Sequence, residues 1–389
     1  MRWEKKKLSD CCISIADGDH QPPPKADSGI PFVTIANISA TNQFDFSNTM
    51  FVPQEYYNRL DSKRKAQKDD ILYSVVGSFG IPVYMRETIP FVFQRHIAIL
   101  RPNESILPKF LYYTMLSRDF YMMADAAALG AAQRTISLTA LRNMKIAVPL
   151  MDIQKKIADI LSAYDDLIEN NQKQIKLLEE AVQRLYKEWF VDLRVPGRET
   201  TPIVDGIPQG WHEGTIQDVV IYHDKKRKPL SGMQRAEMQG EYRYYGAASI
   251  LDYVNDYLFD GTYLLLGEDG TVVTEDGFPV LQYVTGKFWV NNHAHVLTGQ
   301  PGYPTEYLYM MFKSTKVKDV VTGAAQPKIS QARLSNKKII VPSKQLVSAY
   351  CDITGPMFKD IINLEHQITV LKEARDRLLP KLMSGEIEV

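Results

Sequence analysis

Residues 130–149 read GAAQRTISLTALRNMKIAVP and return 193 positions later (323 − 130) as GAAQPKISQARLSNKKIIVP, ungapped, with twelve of twenty positions identical. A repeat of this kind is read before any local pattern, because it sets the architecture. The same offset still holds forty residues on. Gln174, Ile175, Leu178, Glu180, Ala181, Arg184 and Leu185 match Gln367, Ile368, Leu371, Glu373, Ala374, Arg377 and Leu378. Upstream, Trp3, Leu8 and Asp10 match Trp211, Ile216 and Asp218 at an offset of 208 (211 − 3). The two offsets differ by fifteen, so material has been gained or lost between shared flanks. The chain reads as two copies of one unit, each a variable globular part followed by a shared helical part. A loop-like linker over 195–210, with Pro196, Pro202, Pro208 and three glycines, separates them.

Between the flanks, 30–38, 70–76 and 91–100 carry the β-branched and aromatic content of strands, as do 261–267, 279–283 and 288–297 in the second copy. A short helix is expected after each set, PKFLYYTML at 108–116 and PTEYLYMMF at 304–312. Their aromatics are read as core rather than as a base-stacking platform, since rings usually supply buried area.

From Asp152 the period changes. Ile153, Ile157, Ile160, Tyr164, Leu167, Asn171, Ile175, Leu178, Val182, Leu185 and Trp189 follow alternating steps of four and three, with one four-four stutter at Asn171. In the second copy Met357, Ile361, Leu364, Ile368, Leu371, Arg375, Leu378 and Leu382 keep strict heptads. Polar Asn171 and Arg375 on these stripes suggest a register-fixing helix pair. A continuous helix over 152–190 would be about 58 Å long. Gly355-Pro356 predicts a break or kink, so pairing in the second copy is expected from Met357. Ile175, Leu178, Leu185, Ile368, Leu371 and Leu378 are expected to be buried between the helices. Antiparallel pairing would relate the copies by a pseudo-two-fold axis.

The one Gly-Lys, Gly286-Lys287, lacks the following Ser or Thr of a nucleotide-binding P-loop, and no GxGxxG is present. No Asn/Asp-Pro-Pro-Tyr/Phe loop of an amino-methyltransferase occurs. His293 and His295 lack a carboxylate or cysteine at telling spacing, so they read as a strand pair, and no metal site is expected. Glu268, Asp269, Glu275 and Asp276 flank glycines and read as turns. Three cysteines cannot make a disulfide framework, and the N-terminus lacks a signal-peptide core; both point to the cytoplasm. No apolar run is long enough to span a bilayer. Lys+Arg and Asp+Glu balance at 46 each, so any basic surface is local.

The alternation of variable and repeated regions, the GAAQ-x-x-IS…L-x-N…K-I-x-V-P segment before each helix, IPQGW at 207–211 and LLPKLMSGEI at 378–387 resemble the specificity subunits of type I restriction–modification systems. The resemblance implies an α+β fold with two mixed, strand-rich target-recognition domains in a pseudo-two-fold arrangement, separated by a long antiparallel two-helix coiled coil. The corresponding boundaries are 1–150, 151–195 (central helix), 196–342 and 343–389 (C-terminal helix). It implies a non-catalytic subunit that binds double-stranded DNA at a bipartite, asymmetric site. Its partners would be two methyltransferase subunits and the restriction subunits. This chain would bind no cofactor; S-adenosylmethionine, ATP and magnesium are expected on the partners. Candidate DNA contacts are the basic runs Lys63, Arg64, Lys65 and Lys225, Lys226, Arg227, Lys228, for phosphate. Arg95, Gln133, Arg134, Asn292, Gln326 and Lys328 occupy corresponding places in the two copies. Arg86, Arg235 and Arg243 differ between copies, as sequence readers should. The rival class is a duplicated coiled-coil adaptor that binds no DNA; a stand-alone methyltransferase or nuclease is disfavoured by the missing motifs.

Overall fold

A computed structural model describes residues 3–39, 42–130, 134–195, 202–204, 206–323 and 325–389. It divides into two compact units, residues 1–171 with 367–389, and residues 172–366. Each unit therefore takes one half of each long helix, and neither helix stands apart as a domain of its own.

In unit 1, β1 (Glu4–Lys7), β2 (Cys12–Asp17), β3 (Ile30–Val33), β4 (Met50–Val52), β5 (Ile71–Ser74), β6 (Pro82–Tyr84), β7 (Val92–Phe93), β8 (Ile97–Pro102) and β9 (Lys145–Val148) form three sheets. Their orders are β2-β8-β5-β6, β4-β3-β7 and β1-β9. In unit 2, a short hairpin, β10 (Ile203–Val204) and β11 (Ile207–Pro208), precedes β12 (His212–Thr215). Then follow β13 (Val220–Tyr222), β14 (Gln239–Tyr245), β15 (Ile250–Val254), β16 (Phe259–Gly267), β17 (Leu281–Val290), β18 (Ala294–Gly299), β19 (Val321–Thr322), β20 (Lys328–Ile329) and β21 (Lys338–Val341). Six of these make one sheet, in the order β13-β18-β16-β17-β14-β15.

The repeat is visible in the pairing. Glu4 faces Val148 in the β1–β9 ladder, and His212 faces Val341 in β12–β21, as offsets of 208 and 193 require. β2-β8-β5-β6 corresponds in order to β13-β18-β16-β17. Unit 1 differs because the strand that runs unbroken as β17 stops after Tyr84 and resumes at Val92; Pro90 lies in the gap and cannot donate to a ladder. The strand expected over 91–100 is split by a turn at Gln94–His96 (Ile97 N–H to Gln94 O, 3.0 Å), and 30–38 ends in a 3₁₀ turn, Ile35–Asn37, capped by Thr34. Likewise the strand expected over 288–297 is split by a turn at Asn291–His293, and its first residues join the strand expected over 279–283 in β17. Pro108–Leu116 is a helix as expected, and its partner runs Thr305–Lys313. Their aromatics Phe110, Tyr112, Tyr113 and Tyr307 are buried, as a core reading requires.

The central helix, Met151–Tyr186, ends in a π turn over Lys187–Val191; the C-terminal helix runs Lys344–Ser384. In unit 1, Ile157 and Leu161 share a core with Leu379 and Leu382. Asp165 meets Arg375 and Asn171 meets Gln367, so numbers fall on one helix as they rise on the other. In unit 2, Val182, Tyr186 and Trp189 share a core with Val347, Tyr350 and Phe358.

Three expectations about these helices are corrected. The stripe of the central helix passes through Ile168, which is buried, whereas Leu167 is 50% exposed. Steps from Ile168 to Asn171 to Ile175 are then three and four, and the four-four step moves from Asn171 to Tyr164. Gly355-Pro356 does not break the C-terminal helix, and pairing begins well before Met357, with Val347, Tyr350 and Thr354 fully buried. A helix-interior proline costs about 3 kcal/mol; apolar burial on both sides of it holds the helix through. Finally, Ile175, Leu178, Leu185, Ile368, Leu371 and Leu378 are half-buried rather than buried. A helix with one partner helix covers only one flank of its seam, and full burial needs a sheet or third helix as well. Among the described residues no helix is long and apolar enough to cross a membrane.

Candidate nucleic-acid interface

Each unit gathers three segments at one edge of its main sheet. In unit 2 the first is the 3₁₀ turn Asp224–Lys226 after β13, which carries the basic run. The second is the turn between β17 and β18, Asn291–His293, pinned by the His293 N–H donating to Asn291 Oδ1 at 2.8 Å. The third is the hairpin of the repeated segment, whose β20 bridges Asp269 through Lys328, with the Gly270 N–H donating to Pro327 O at 3.0 Å.

Unit 1 repeats the plan with different residues. The Arg95 N–H donates to Asp19 O and the Val75 N–H to His96 O, at 2.9 and 2.8 Å. The Gly77 N–H donates to Arg134 O at 3.0 Å, and Val76 bridges Thr135 in the repeated segment. The basic 3₁₀ turn Ser62–Arg64 reaches the end of β2 through Arg64, 3.6 Å from Asp17.

The candidates sort accordingly. Lys63, Arg95, Lys225, Lys226, Lys228, Asn292, Gln326 and Lys328 are exposed on these segments. Lys65 is half-buried, donating to Asn58 O at 3.0 Å with its ammonium over the Tyr57 ring. Arg134 is exposed but held by Asp125 and stacked over Phe79. Gln133 lies outside the described residues. Arg235 is tied to Asp252 at 3.1 Å and lies over Tyr244.

Arg86 points elsewhere: it meets Asp166 and Glu169 of the central helix at 2.7 and 3.1 Å. Arg243 lines a cavity of about 170 Å³ with Glu179 and Glu365 of the two helices. There, burial raises the Glu365 carboxyl, partly offset by Arg243. These two arginines mark helix contacts, and variability between the copies did not reveal that.

Arg227 is also set apart from its run. It is 13% exposed and donates to Glu268 Oε2 at 2.5 Å and Ala294 O at 2.7 Å. Asp224, Glu268 and His295 converge beside it, their donor atoms within 4.8 Å of one another. The pairing expected to be missing for the strand histidine therefore exists, supplied by carboxylates 71 and 27 positions away in the chain (295 − 224, 295 − 268). Spacing in sequence could not show it, because sheet pairing makes the contact. Glu268, read as a turn residue, is one of its walls. Arg227 already supplies the positive charge that a cation would bring. Burial raises the Asp224 carboxyl, but the hydrogen bond and charge of His295, the Val296 amide and Arg227 take it below its ordinary value.

The arrangement offers exposed lysines for phosphate and forked or amide side chains for base edges. The family model for the type I restriction modification DNA specificity domain matches residues 2–180 and 208–369. The type I restriction enzyme MjaIX specificity subunit of Methanocaldococcus jannaschii is 25% identical over all of this chain and 94% of its own length. The HindI specificity subunit of Haemophilus influenzae is 22% identical, over 92% of this chain and 95% of its own. A crystal structure of the type I restriction–modification S subunit from M. genitalium covers 98% of this chain and 96% of its own, with TM-score 0.61 and 18% identity.

Proposed function

This chain belongs to the type I restriction modification DNA specificity family, and from that premise we propose that it reads a bipartite, asymmetric DNA site, one half with each unit. It is a non-catalytic specificity subunit. The observation that carries the two-part reading is that the family match falls as two stretches, 2–180 and 208–369, one over the recognition part of each unit. The units share a plan but present different side chains at their three edge segments, so the half-sites differ. In this proposal the long helices receive two adenine-methylating subunits and the restriction subunits. S-adenosylmethionine, ATP and magnesium reside on those partners, and the complex works in the cytoplasm.

The test is to exchange 211–322 for the same region of a related subunit, co-express the chimaera with its methyltransferase partner, and map methylated adenines. One half of the motif changes, while the other half and the spacer stay. Change in both halves, or in neither, refutes the assignment of one unit to each half-site.

A further inference from the structure

His295 on β18 is 1% exposed, and both its ring nitrogens face oxygens. Nδ1 lies 2.6 Å from Asp224 Oδ2 and 3.5 Å from Glu268 Oε2; Nε2 lies 2.8 Å from the carbonyl oxygen of Ile329. All three are acceptors while the carboxylates are ionised. A neutral imidazole carries one N–H and leaves a lone pair against one of these oxygens, whereas an imidazolium donates on both sides. Arg227 supplies the second cation, 2.5 Å from Glu268 and 3.5 Å from Asp224. Lys328 on β20 approaches Glu268 from outside at 3.5 Å. The ring of Tyr222 on β13 packs edge-on at 5.8 Å, its phenol kept neutral as burial pushes it up to about 12.

The members stand on different pieces of the recognition edge. Asp224 and Arg227 belong to the basic segment, Glu268 follows β16, and His295 follows the Asn291–His293 turn. Ile329 belongs to the repeated hairpin. Unit 1 is built without this cluster. The matching ladders put Ala98 and Val75 at the places of His295 and Glu268, and both are buried apolar side chains.

We propose that Asp224, His295, Glu268 and Arg227 are positioning residues for the recognition edge of unit 2, tied together by His295 in its imidazolium form. This rests on the reading that each unit recognises one half-site. A ring with a single N–H would keep it on the Asp224 carboxylate and turn a lone pair to the Ile329 carbonyl, so it could not tie the repeated hairpin to the other two segments. Discrimination at the half-site read by unit 2 then depends on this cluster, while that of unit 1 does not.

Two measurements on the full chain, purified with its methyltransferase partner, test this. The first is the ¹⁵N spectrum of labelled histidines at neutral pH, with His295 identified by its loss in His295→Gln. Two protonated ring nitrogens are expected; a single one overturns the proposal, and this readout needs no DNA. The second is competition binding with duplexes carrying both half-sites or with either half scrambled. Glu268→Gln is expected to lower discrimination at the unit 2 half-site about tenfold, the scale of one charged hydrogen bond. Discrimination at the other half-site stays. Unaltered discrimination at both halves in Glu268→Gln overturns the positioning role. Wild-type protein that discriminates at neither half overturns the premise instead. Should Glu268→Gln fail to fold, the ¹⁵N measurement on the wild-type chain still decides.

Discussion

Arg375 brings a guanidinium nitrogen to 2.6 Å from Asp165 Oδ1 within the helix pair of unit 1, and the Tyr113 hydroxyl donates to Oδ2 of the same carboxylate at 2.6 Å. Both charged side chains are largely covered, 15% exposed for Asp165 and 19% for Arg375. The offset of 193 carries these positions onto Phe358 and Val182 (165 + 193, 375 − 193), which are buried together in the core of unit 2. One copy thus uses an ion pair where the other uses apolar packing. Asp165→Ala leaves a buried guanidinium without its partner and is expected to cost about 3 kcal/mol. A double-mutant cycle with Arg375→Ala in urea unfolding should return a clear coupling energy; additivity of the two single changes would contradict the role.

The covered and half-covered positions of the helices should separate cleanly. Leu161 and Leu382 are buried beneath the unit 1 core, and their replacement by Ala is expected to cost about 2–5 kcal/mol. Leu178 and Leu371 are half-buried, and each should cost about 1 kcal/mol, since less apolar area is returned to water. Denaturant midpoints at constant slope measure the difference. Equal losses at all four would mean the seam is more enclosed than the structure has it.

Pro356 lies within the C-terminal helix, exposed, after a glycine whose added Cβ would meet nothing within 4 Å. Pro356→Ala restores an amide donor and removes a ring clash. It is expected to stabilise by up to about 3 kcal/mol. Loss of stability on this change would show that the proline is needed for the helix path.

The cysteines offer a probe that needs no DNA. Burial pushes the Cys12 and Cys351 thiols up to about 12, and burial raises Cys11 as well. The thiolate is the reactive form. Iodoacetamide at neutral pH should therefore modify the native chain slowly and the urea-unfolded chain fast at all three positions. Fast labelling of Cys12 in native protein would contradict its burial.

Much of this fold was legible because the repeat is a global constraint. Matching residues at two offsets gave two copies of one unit, and the β1–β9 and β12–β21 ladders obey those same offsets. Helix phase was less legible. Leu167 and Ile168 are adjacent and both apolar, and only the neighbouring core decides which one turns inward. At the interface the residue types were suggestive, but direction was not written in the sequence. Arg86 and Arg95 are both arginines on loops of one domain. One meets helix carboxylates, and the other stands exposed on the edge. The His295 cluster was invisible for a related reason: its members meet only after β13, β16 and β18 have paired.

That difference between Arg86 and Arg95 gives the last prediction. Arg86 is occupied by Asp166 and Glu169, so Arg86→Ala should lower the stability of unit 1 and leave the bases chosen at its half-site unchanged. Arg95 and Asn292 stand exposed on the edge turns of their units. Arg95→Ala should relax base choice in one half of the methylated motif and Asn292→Ala in the other, each by about 1–3 kcal/mol, the scale of a good bidentate base contact. Lys225→Ala should instead weaken binding to all duplexes alike and reduce the slope of log affinity against log salt by about one, the signature of a lost phosphate contact. Methylation mapping reads the first two, and salt-dependent binding of the full complex reads the third. If Arg86→Ala changed the motif and Arg95→Ala did not, the recognition edge would lie on the side of unit 1 that faces the helix, not at the three segments beside β2, β5 and β8.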